Sequence, residues 1–301
     1  MNPFYREYSD YLAGRFAGKV QKLTVDTGAS CPNRDGTFGR GGCVYCSNSA
    51  FSPMAGSRAT VAEQLEAGKA FFARKYPSMR YLAYFQSHTA THAGAALFLR
   101  QVEEAMGVAG VVGLVVGTRP DCMPDGVLGA LAEINARRMP VMVEYGMESA
   151  CDATLRRINR CHTHAATVDA VCRTARAGMD AGVHLIFGLP GESEEDMLRS
   201  VDAVNAMPVE FVKFHQLQVV RGTRLAADVA AGRECVVPFG VDAYVDFCCR
   251  VVGRLRGDIA IDRFTAQAPQ DMLIAPRWGI KNHEFTSRLQ RRLRELSSSR
   301  S

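Results

Sequence analysis

The sequence predicts an α/β fold built on a parallel sheet, and three observations support this class. Short β-type runs alternate with stretches of helical periodicity along most of the 301 residues. These runs are almost continuously apolar, as expected for strands that helices cover. Polar side chains collect where the runs end, which is where ligand sites lie in such folds. Six successive strand–helix units imply right-handed crossovers, and an open sheet or a partial barrel would satisfy them equally.

The predicted elements follow an aromatic N-terminal segment. The strands, in chain order, are KLTVD (22–26), YLAYFQ (81–86), VVGLVVG (111–117), VMVEYG (141–146), VHLIFG (183–188), FVKFHQL (211–217) and a last short strand, DIAIDRF (258–264). Two of the intervening helices carry start signals. Thr60 and Glu63 form a capping-box signature before one helix, and Pro124 suits the first turn of another.

Composition places the chain among ordinary globular proteins. It is 47% hydrophobic and 22% charged, and no Pro-, Ser- or Gly-rich linker divides it, so one barrel-sized domain is expected. The N-terminus lacks the apolar run of a signal peptide, and no window approaches the roughly 20 apolar residues that span a membrane. We therefore expect a cytoplasmic protein that does not bind membranes.

The net charge of +5 is concentrated near the C-terminus. From residue 281 to 301 there are two acidic residues, Glu284 and Glu295, against six basic ones: Lys281, Arg288, Arg291, Arg292, Arg294 and Arg300. Such a basic helix is usually a solvated end of the chain, and otherwise a contact for a polyanion.

The ten cysteines fit metal binding or catalysis better than disulfides, because cytosolic thiols are kept reduced. Three of them, Cys31, Cys43 and Cys46, surround the glycine-rich stretch CPNRDGTFGRGGCVYC. Zinc in a structural site needs four ligands, and the fourth could come from Cys161, His162 or His164. A [4Fe–4S] cluster normally takes four cysteines, so three would leave one iron open to a substrate or cofactor.

Several motifs in order resemble those of the radical S-adenosylmethionine (radical SAM) superfamily. They are the cysteine stretch, GTRPD (117–121), EYGMES with LRRINR (144–160), HLIFGLPGE (184–192) and DRFTAQAPQDMLIAPRW (262–278). They are most similar to the YhcC-like family, related to the elongator catalytic subunit and the oxygen-independent coproporphyrinogen oxidases. The resemblance covers about residues 20 to 280 and implies a partial (β/α)6 TIM-like barrel with a short C-terminal extension.

The resemblance also implies a [4Fe–4S] cluster on Cys31, Cys43 and Cys46, with SAM on the fourth iron. Its strongest SAM assignments are Tyr45 beside the adenine, Arg160 on the carboxylate and Glu148 on the ribose hydroxyls. The remaining candidate cofactor-binding residues are Gln86, Ser87 and Thr89 at the methionine amino group, His184 at a position where relatives carry aspartate, Gly188, Leu189 and Pro190 beside the adenine, Arg119 and Asp121, and His215 inside the barrel.

Three of these residues have a simpler explanation. Arg119 and Asp121 could pair only with each other to close a turn, and His215 could be a buried strand residue without a role in binding. No residue of the sequence is assigned a catalytic role beyond cofactor binding.

The resemblance implies an enzyme that reductively cleaves SAM to a 5′-deoxyadenosyl radical acting on a substrate that the sequence does not identify. It divides the chain into an N-terminal segment (1–18), a radical SAM core (19–265) and a C-terminal extension with the basic tail (266–301). A flavodoxin or ferredoxin would supply electrons, and the substrate would be a small molecule or RNA. The alternatives are a tRNA-base-modifying radical SAM enzyme and a zinc-stabilised binding module without catalysis.

Overall fold

The computed structural model of the chain describes residues 2–51, 54, 56–73, 76 and 78–299. Residue 1 of the predicted N-terminal segment, and Arg300 and Ser301 of the basic tail, lie outside the described residues. The strands are β1 Val20–Val25, β2 Arg80–Phe85, β3 Val111–Thr118, β4 Val141–Glu148, β5 Asp180–Phe187, β6 Phe211–Gln216, β7 Val219–Val220, β8 Ala260–Arg263 and β9 Leu273–Ala275.

Helices alternate with the strands, and two 3₁₀ turns, Ala90–Ala93 and Pro120–Cys122, follow β2 and β3. The α-helices are α1 Tyr8–Ala13, α2 Pro32–Asp35, α3 Asn48–Phe51, α4 Val61–Ala73, α5 Ala95–Met106, α6 Asp125–Arg137, α7 Asp152–Arg157, α8 His164–Arg176, α9 Glu194–Asn205, α10 Arg224–Ala230, α11 Val241–Arg254 and α12 Asn282–Ser298.

The main sheet has seven parallel strands in the order β1-β2-β3-β4-β5-β6-β8. It curls into a partial barrel, which confirms the predicted fold class and decides against a flat open sheet. The curl is visible at its two edges, where Lys22 of β1 lies 2.9 Å from the carboxylate of Asp262 on β8. A side-chain ion pair therefore spans the gap that backbone hydrogen bonds close in a complete barrel.

Of the two predicted helix start signals, one forms as predicted and the other is shifted by one residue. Thr60 and Glu63 form the capping box that the sequence predicts: each backbone N–H bonds to the other's side chain. Pro124 is the residue before α6, so it stands one position earlier than a first-turn proline. The short antiparallel pair β7 and β9 was not predicted, because two- and three-residue strands leave no readable periodicity.

The N-terminal segment closes the amino end of the barrel. Tyr8, Tyr11 and Phe16 pack against an apolar layer inside the sheet, to which Met142 and Phe211 contribute. The same segment covers part of the free edge of β8, because the backbone N–H of Ile261 donates to the carbonyl of Arg6 at 2.9 Å.

The C-terminal helix α12 packs on α11 through its buried residues Phe285, Leu289 and Leu293. Before it, Trp278 stacks on Phe285 and donates its indole N–H to the carbonyl of Phe239 at 2.8 Å. The tail is therefore a packed part of the fold. Within the described part of the chain, no helix has both the length and the apolar character needed to cross a bilayer.

Candidate active site

The cysteine loop follows β1 at the carboxyl end of the barrel. Cys31 precedes the single-turn helix α2, and its carbonyl accepts from the N–H groups of Arg34 and Asp35. Gly36 ends that turn with a φ of 96°, a conformation that side chains other than glycine rarely adopt. A second turn brings Cys46 back to Cys43, whose carbonyl accepts from the Cys46 N–H at 3.0 Å.

The segment after α7 holds this loop in place. The side-chain amide of Asn159 donates to the carbonyl of Gly42 at 2.8 Å, and the Val44 N–H donates to the carbonyl of Ile158 at 3.0 Å. Gly39 passes so close to this segment that a Cβ there would lie 2.8 Å from the sulfur of Cys161. The INR part of the predicted motif therefore also positions the cysteine loop.

The three thiols of Cys31, Cys43 and Cys46 line one cavity of about 270 Å³. Two N–H donors face the sulfur of Cys43, from Asn33 at 3.6 Å and from Arg160 at 3.5 Å. Burial raises the pKa of the Cys46 thiol, and the neighbouring Cys43 adds to this, so a bound metal would have to stabilise the Cys46 thiolate.

The spacing of these ligands distinguishes a cluster from a single ion. Among the described residues, no three His, Cys, Asp or Glu side chains lie close enough together to hold one metal ion. In an iron–sulfur cluster each thiolate takes its own iron, so its cysteines are spaced more widely than zinc ligands. Cys161 instead contacts Asn33 Oδ1, at 2.9 Å from its sulfur, and His162 accepts from Arg160 Nε at 2.9 Å. The donor set fits a [4Fe–4S] cluster.

Arg160 is the centre of a buried polar network beside the cysteines. Its guanidinium pairs with Glu148 at 3.1 Å and donates to the carbonyl of Gly146 at 2.7 Å. Glu144, Gly146 and Glu148 of β4 line the cavity, and a bulge lies between Gly146 and Glu148, where Glu148 has a φ of 66°. A Cβ on Gly146 would lie 2.7 Å from Glu148 Oε1 and would displace the guanidinium of Arg160.

Arg119 and Asp121 do pair with each other, through two hydrogen bonds of 2.9 and 2.7 Å. Arg119 nevertheless keeps one end of its guanidinium for another group. Its Nη1 is buried and finds no hydrogen-bond partner among the described residues, and neither does the hydroxyl of Thr89. Both residues belong to the cavity wall, and an unpaired buried polar atom there is a candidate contact for a bound ligand.

The structure brings most of the predicted residues to one cavity but not all of them. Those that line it are Cys31, Cys43, Cys46, Tyr45, Gln86, Thr89, Arg119, Glu148, Arg160, His184 and His215. Ser87 is buried behind this wall, and Asp121 lies behind it and pairs with Arg119. Leu189 packs in an apolar cluster with Val44 and Leu217, and the neighbouring Gly188 and Pro190 do not line the cavity either.

The deep end of the cavity rests on a layer of charged side chains. The carboxylate of Glu144 is fully buried and accepts from Lys22 at 2.7 Å, Lys213 at 2.8 Å and His184 at 3.0 Å. Burial opposes ionisation of Glu144, but the two lysines outweigh it and lower its pKa well below the usual range. Burial also lowers the pKa of Lys213, to about 8.

A second cavity, of about 630 Å³, lies beneath the C-terminal extension. It shares Gln216, Gln218, Ala266 and Gln267 with the first cavity and is covered by the segment 276–285, including Trp278. The amides of Gln216 and Gln218 bond to the backbone of Ala266 and Ala268, which fixes the wall between the two cavities.

Sequence reasoning missed the residues that hold the site from behind. Asn33 and Asn159 carry no signal, because their partners are backbone and thiol groups distant in sequence. A signal did exist for Glu144 and Lys213. Each is a charged residue inside an apolar strand, and buried charges of this kind are paired or functional.

Two protein-family models match the chain, and together they cover most of its length. The family model described as the radical SAM superfamily matches residues 33–204, and the radical SAM C-terminal domain matches residues 209–295. The chain belongs to the radical SAM superfamily. The predicted cofactors, a [4Fe–4S] cluster and SAM, are those of this superfamily.

The radical SAM chain has full-length relatives that support the predicted YhcC-like membership. It is 38% identical to YhcC of Escherichia coli K12 over 267 residues, which cover 89% of this chain and 85% of that protein. It is 31% identical to YtqA of Bacillus subtilis over 295 residues, which cover 98% of this chain and 91% of YtqA.

Among solved structures, the radical SAM chain is similar to Elp3 of the archaeon Methanocaldococcus infernus. The TM-score is 0.68 at 14% identity, and the match covers 95% of this chain but 64% of the Elp3 chain. SuiB of Streptococcus suis, in a structure with bound S-adenosylmethionine, gives a TM-score of 0.54 at 9% identity, covering 83% of this chain and 51% of SuiB. At these identities the likeness concerns the fold alone.

Proposed function

We propose that this protein is a radical SAM enzyme that reductively cleaves SAM and uses the product radical on a substrate bound in the same cavity. One observation carries the proposal: three thiols and the Arg160–Glu148 pair line one cavity, whose wall also contains Arg119 and Thr89 with an unpaired polar atom each. Bound there, the [4Fe–4S] cluster and SAM would supply a 5′-deoxyadenosyl radical, the chemistry that the protein itself lacks.

Each wall of the cavity has a proposed role in binding. Cys31, Cys43 and Cys46 hold three irons, and Arg160, already fixed by Glu148 and Gly146, binds the SAM carboxylate through its remaining N–H. Glu148 accepts from the ribose hydroxyls, and Tyr45 lies beside the adenine. Arg119 Nη1 and the Thr89 hydroxyl are free to bind the methionine end of SAM.

The protein also keeps water away from the radical. The N-terminal segment closes the amino end with Tyr8, Tyr11 and Phe16, and the segment around Trp278 covers the second cavity. A reactive radical needs this enclosure, because solvent and loose side chains would otherwise quench it.

The proposal favours a small molecule over RNA as the substrate. Two arginines of the basic helix α12 form ion pairs within the protein: Arg292 pairs with Asp246 at 2.7 Å and Arg288 with Asp242 at 3.5 Å. A helix held this way offers less free positive charge to a phosphate backbone than its composition suggests.

Anaerobic reconstitution tests the proposal and separates it from a zinc-stabilised module. About four iron and four sulfide per chain, with methionine and 5′-deoxyadenosine formed from SAM under a low-potential reductant such as reduced flavodoxin, is the expected result. One zinc per chain with no cleavage of SAM would support the module instead.

A further inference from the structure

Arg263 stands at the deep end of the cavity without a charge partner. Four other cations pair with carboxylates: Lys22 and Lys213 with Glu144 and Asp262, Arg160 with Glu148 and Arg119 with Asp121. Arg34, at the thiol end of the cavity, instead donates to the carbonyl of Cys46 at 3.0 Å. Among the described residues, no carboxylate forms an ion pair with Arg263. Its Nε is buried without a hydrogen-bond partner, and its Nη2 meets only His215 Nε2 at 3.4 Å.

The charge balance of this region is also incomplete. Lys22, Lys213 and Arg263 are cationic, whereas Glu144 and Asp262 are the carboxylates that face them. The deep end therefore carries a surplus of one positive charge, on a partly buried arginine, which an anionic ligand would balance.

His215 completes one side of this space. Its ring lies between Arg263 and the ring of His184, whose centroid is 5.8 Å away. Burial and then the charge of Arg263 hold the pKa of His215 well below its usual range, so the ring is neutral and can donate one hydrogen bond. A ligand here would meet a guanidinium and an imidazole together.

The position of Arg263 separates this space from the SAM site and connects it to the second cavity. Arg263 ends β8, and the chain continues directly to Ala266 and Gln267, which line both cavities. The first cavity, at about 270 Å³, lies just below the range of about 300 to 1,000 Å³ typical of ligand sites. A substrate held at Arg263 would extend along the shared wall into the second cavity.

We propose that Arg263 and His215 form the substrate's anchoring subsite, which binds an anionic group, a carboxylate or a phosphate. The substrate class is thus a small acid whose charged end lies at the deep end and whose body extends beneath the C-terminal extension. This inference rests on the proposed function, because it takes the thiol end of the cavity as the place of SAM. An arginine fork suits both kinds of anion.

Equilibrium dialysis of the cluster-loaded, SAM-bound, unreduced protein tests this subsite, with radiolabelled inorganic phosphate and radiolabelled acetate as probes. One saturable site per chain is expected, with affinity at least tenfold weaker in Arg263→Gln and reduced to a smaller degree in Arg263→Lys, which keeps the charge but loses the fork. The probe that binds more tightly identifies the anion. Arg221→Gln, a change at an exposed arginine outside both cavities, is the matched control and should bind as the wild type does.

Two results would overturn the subsite: equal anion affinity in wild type and Arg263→Gln, or displacement of the anion by SAM. If Arg263→Gln does not fold, His215→Asn replaces it and should weaken anion binding severalfold. Cluster content and SAM cleavage are measured on the same samples. If the wild type binds the anion but does not cleave SAM, the proposed function is rejected and the subsite is kept. If it cleaves SAM but binds no anion, the subsite is rejected and the proposed function is kept.

Discussion

At the scale of single residues, the cysteine loop shows how much one contact can depend on another. The sulfur of Cys43 faces donors from Asn33 and Arg160, and Arg160 in turn depends on Glu148 and Gly146. Glu148 adopts a left-handed backbone conformation, which costs about 1 to 3 kcal/mol and is maintained by its surroundings. The proposed cluster ligand Cys43 and the proposed SAM contacts Arg160 and Glu148 thus belong to one network.

Replacing any one of Cys31, Cys43 or Cys46 with alanine should abolish the cluster and SAM cleavage while leaving the fold intact, because the loop lies at the barrel mouth. Iron content, the visible absorbance of the cluster and 5′-deoxyadenosine formation measure the outcome. Cys235→Ala, a change at an exposed cysteine outside both cavities, is the control. Full cleavage activity in any of the three variants would remove that cysteine from the ligand set.

Arg160→Ala should weaken SAM binding by about 1.5 to 3 kcal/mol, the scale of a hydrogen bond to a charged group. The contact to Cys43 adds a second effect, since the loop loses a donor and the cluster should become more labile. SAM titration of the reconstituted protein and iron content before and after dialysis report the two effects separately. Unchanged SAM affinity would contradict the carboxylate role.

Sequence reasoning found residues on the lining of the cavity better than residues behind it. Tyr45, Glu148 and Arg160 could be placed because each matches a position in the motifs of the radical SAM family, and all three line the cavity. Asn33 could not be placed, since its partners Cys43 and the carbonyl of Asn159 are set by tertiary folding. Arg263 lay within a quoted motif, but its missing partner is visible only in three dimensions.

At the scale of elements, β4 shows why strand boundaries alone do not define a site. The sequence predicted this strand to end at 146, whereas it runs to Glu148 and carries a bulge between Gly146 and Glu148. Bulges are frequent next to active sites. Glu144, Gly146 and Glu148 all line the cavity, so the alternation of side chains was predictable, whereas the bulge and the left-handed backbone of Glu148 were not.

Gly146→Ala tests this element directly. The added Cβ would collide with Arg160 and lie 2.7 Å from Glu148 Oε1, so SAM affinity should fall at least tenfold in a protein that still folds. Gly129→Ala on α6 is the matched control, because its Cβ would meet nothing within 4 Å and should stabilise the helix by about 0.5 to 1 kcal/mol. SAM titration and thermal unfolding of both variants provide the comparison. Wild-type SAM affinity in Gly146→Ala would contradict the close packing.

At the scale of the whole molecule, buried charges hold the curled sheet together across its interior. Lys22, Glu144, Lys213 and Asp262 come from β1, β4, β6 and β8. Three of their ion pairs, Lys22–Glu144, Lys22–Asp262 and Lys213–Glu144, join strands that share no backbone hydrogen bonds, and Lys213–Asp262 joins the neighbours β6 and β8. The order of the strands was predictable from the strand–helix alternation. The degree of curl was not, because it depends on which interior side chains meet.

This charged layer makes the free energy of unfolding depend on pH in the acidic range. Burial opposes ionisation of Asp262, but Lys22 and Lys213 outweigh it and lower its pKa to about 2, from about 3.9 in an unfolded chain. A carboxyl with a lowered pKa contributes stability above its unfolded pKa and loses it as the pH falls through the folded one. The free energy of unfolding should therefore drop between about pH 4 and pH 2, as measured by urea unfolding of a cluster-free triple cysteine variant.

In the same background, Glu144→Gln should cost about 3 to 5 kcal/mol at neutral pH, since it leaves two buried lysines with one fewer carboxylate. The free energy of unfolding of this variant should fall less between about pH 4 and pH 2 than that of the parent. Glu103→Gln, at a pair with Arg138 that is about half exposed, should change stability by less than about 1 kcal/mol. Equal effects of the two substitutions would show that the interior pairs contribute no more than surface ones.

A sheet that curls without closing keeps two free edges, and the contact between Arg6 and Ile261 protects one of them from other molecules. Unpaired strand edges recruit strands from neighbouring chains. Removing residues 1–7 should therefore produce concentration-dependent self-association, measured by light scattering, while removing residues 299–301 at the other end should not. A monodisperse N-terminal truncation would contradict this. An affinity tag is consequently better placed after α12 than before α1, because removing an N-terminal tag could also remove the residues that protect this edge.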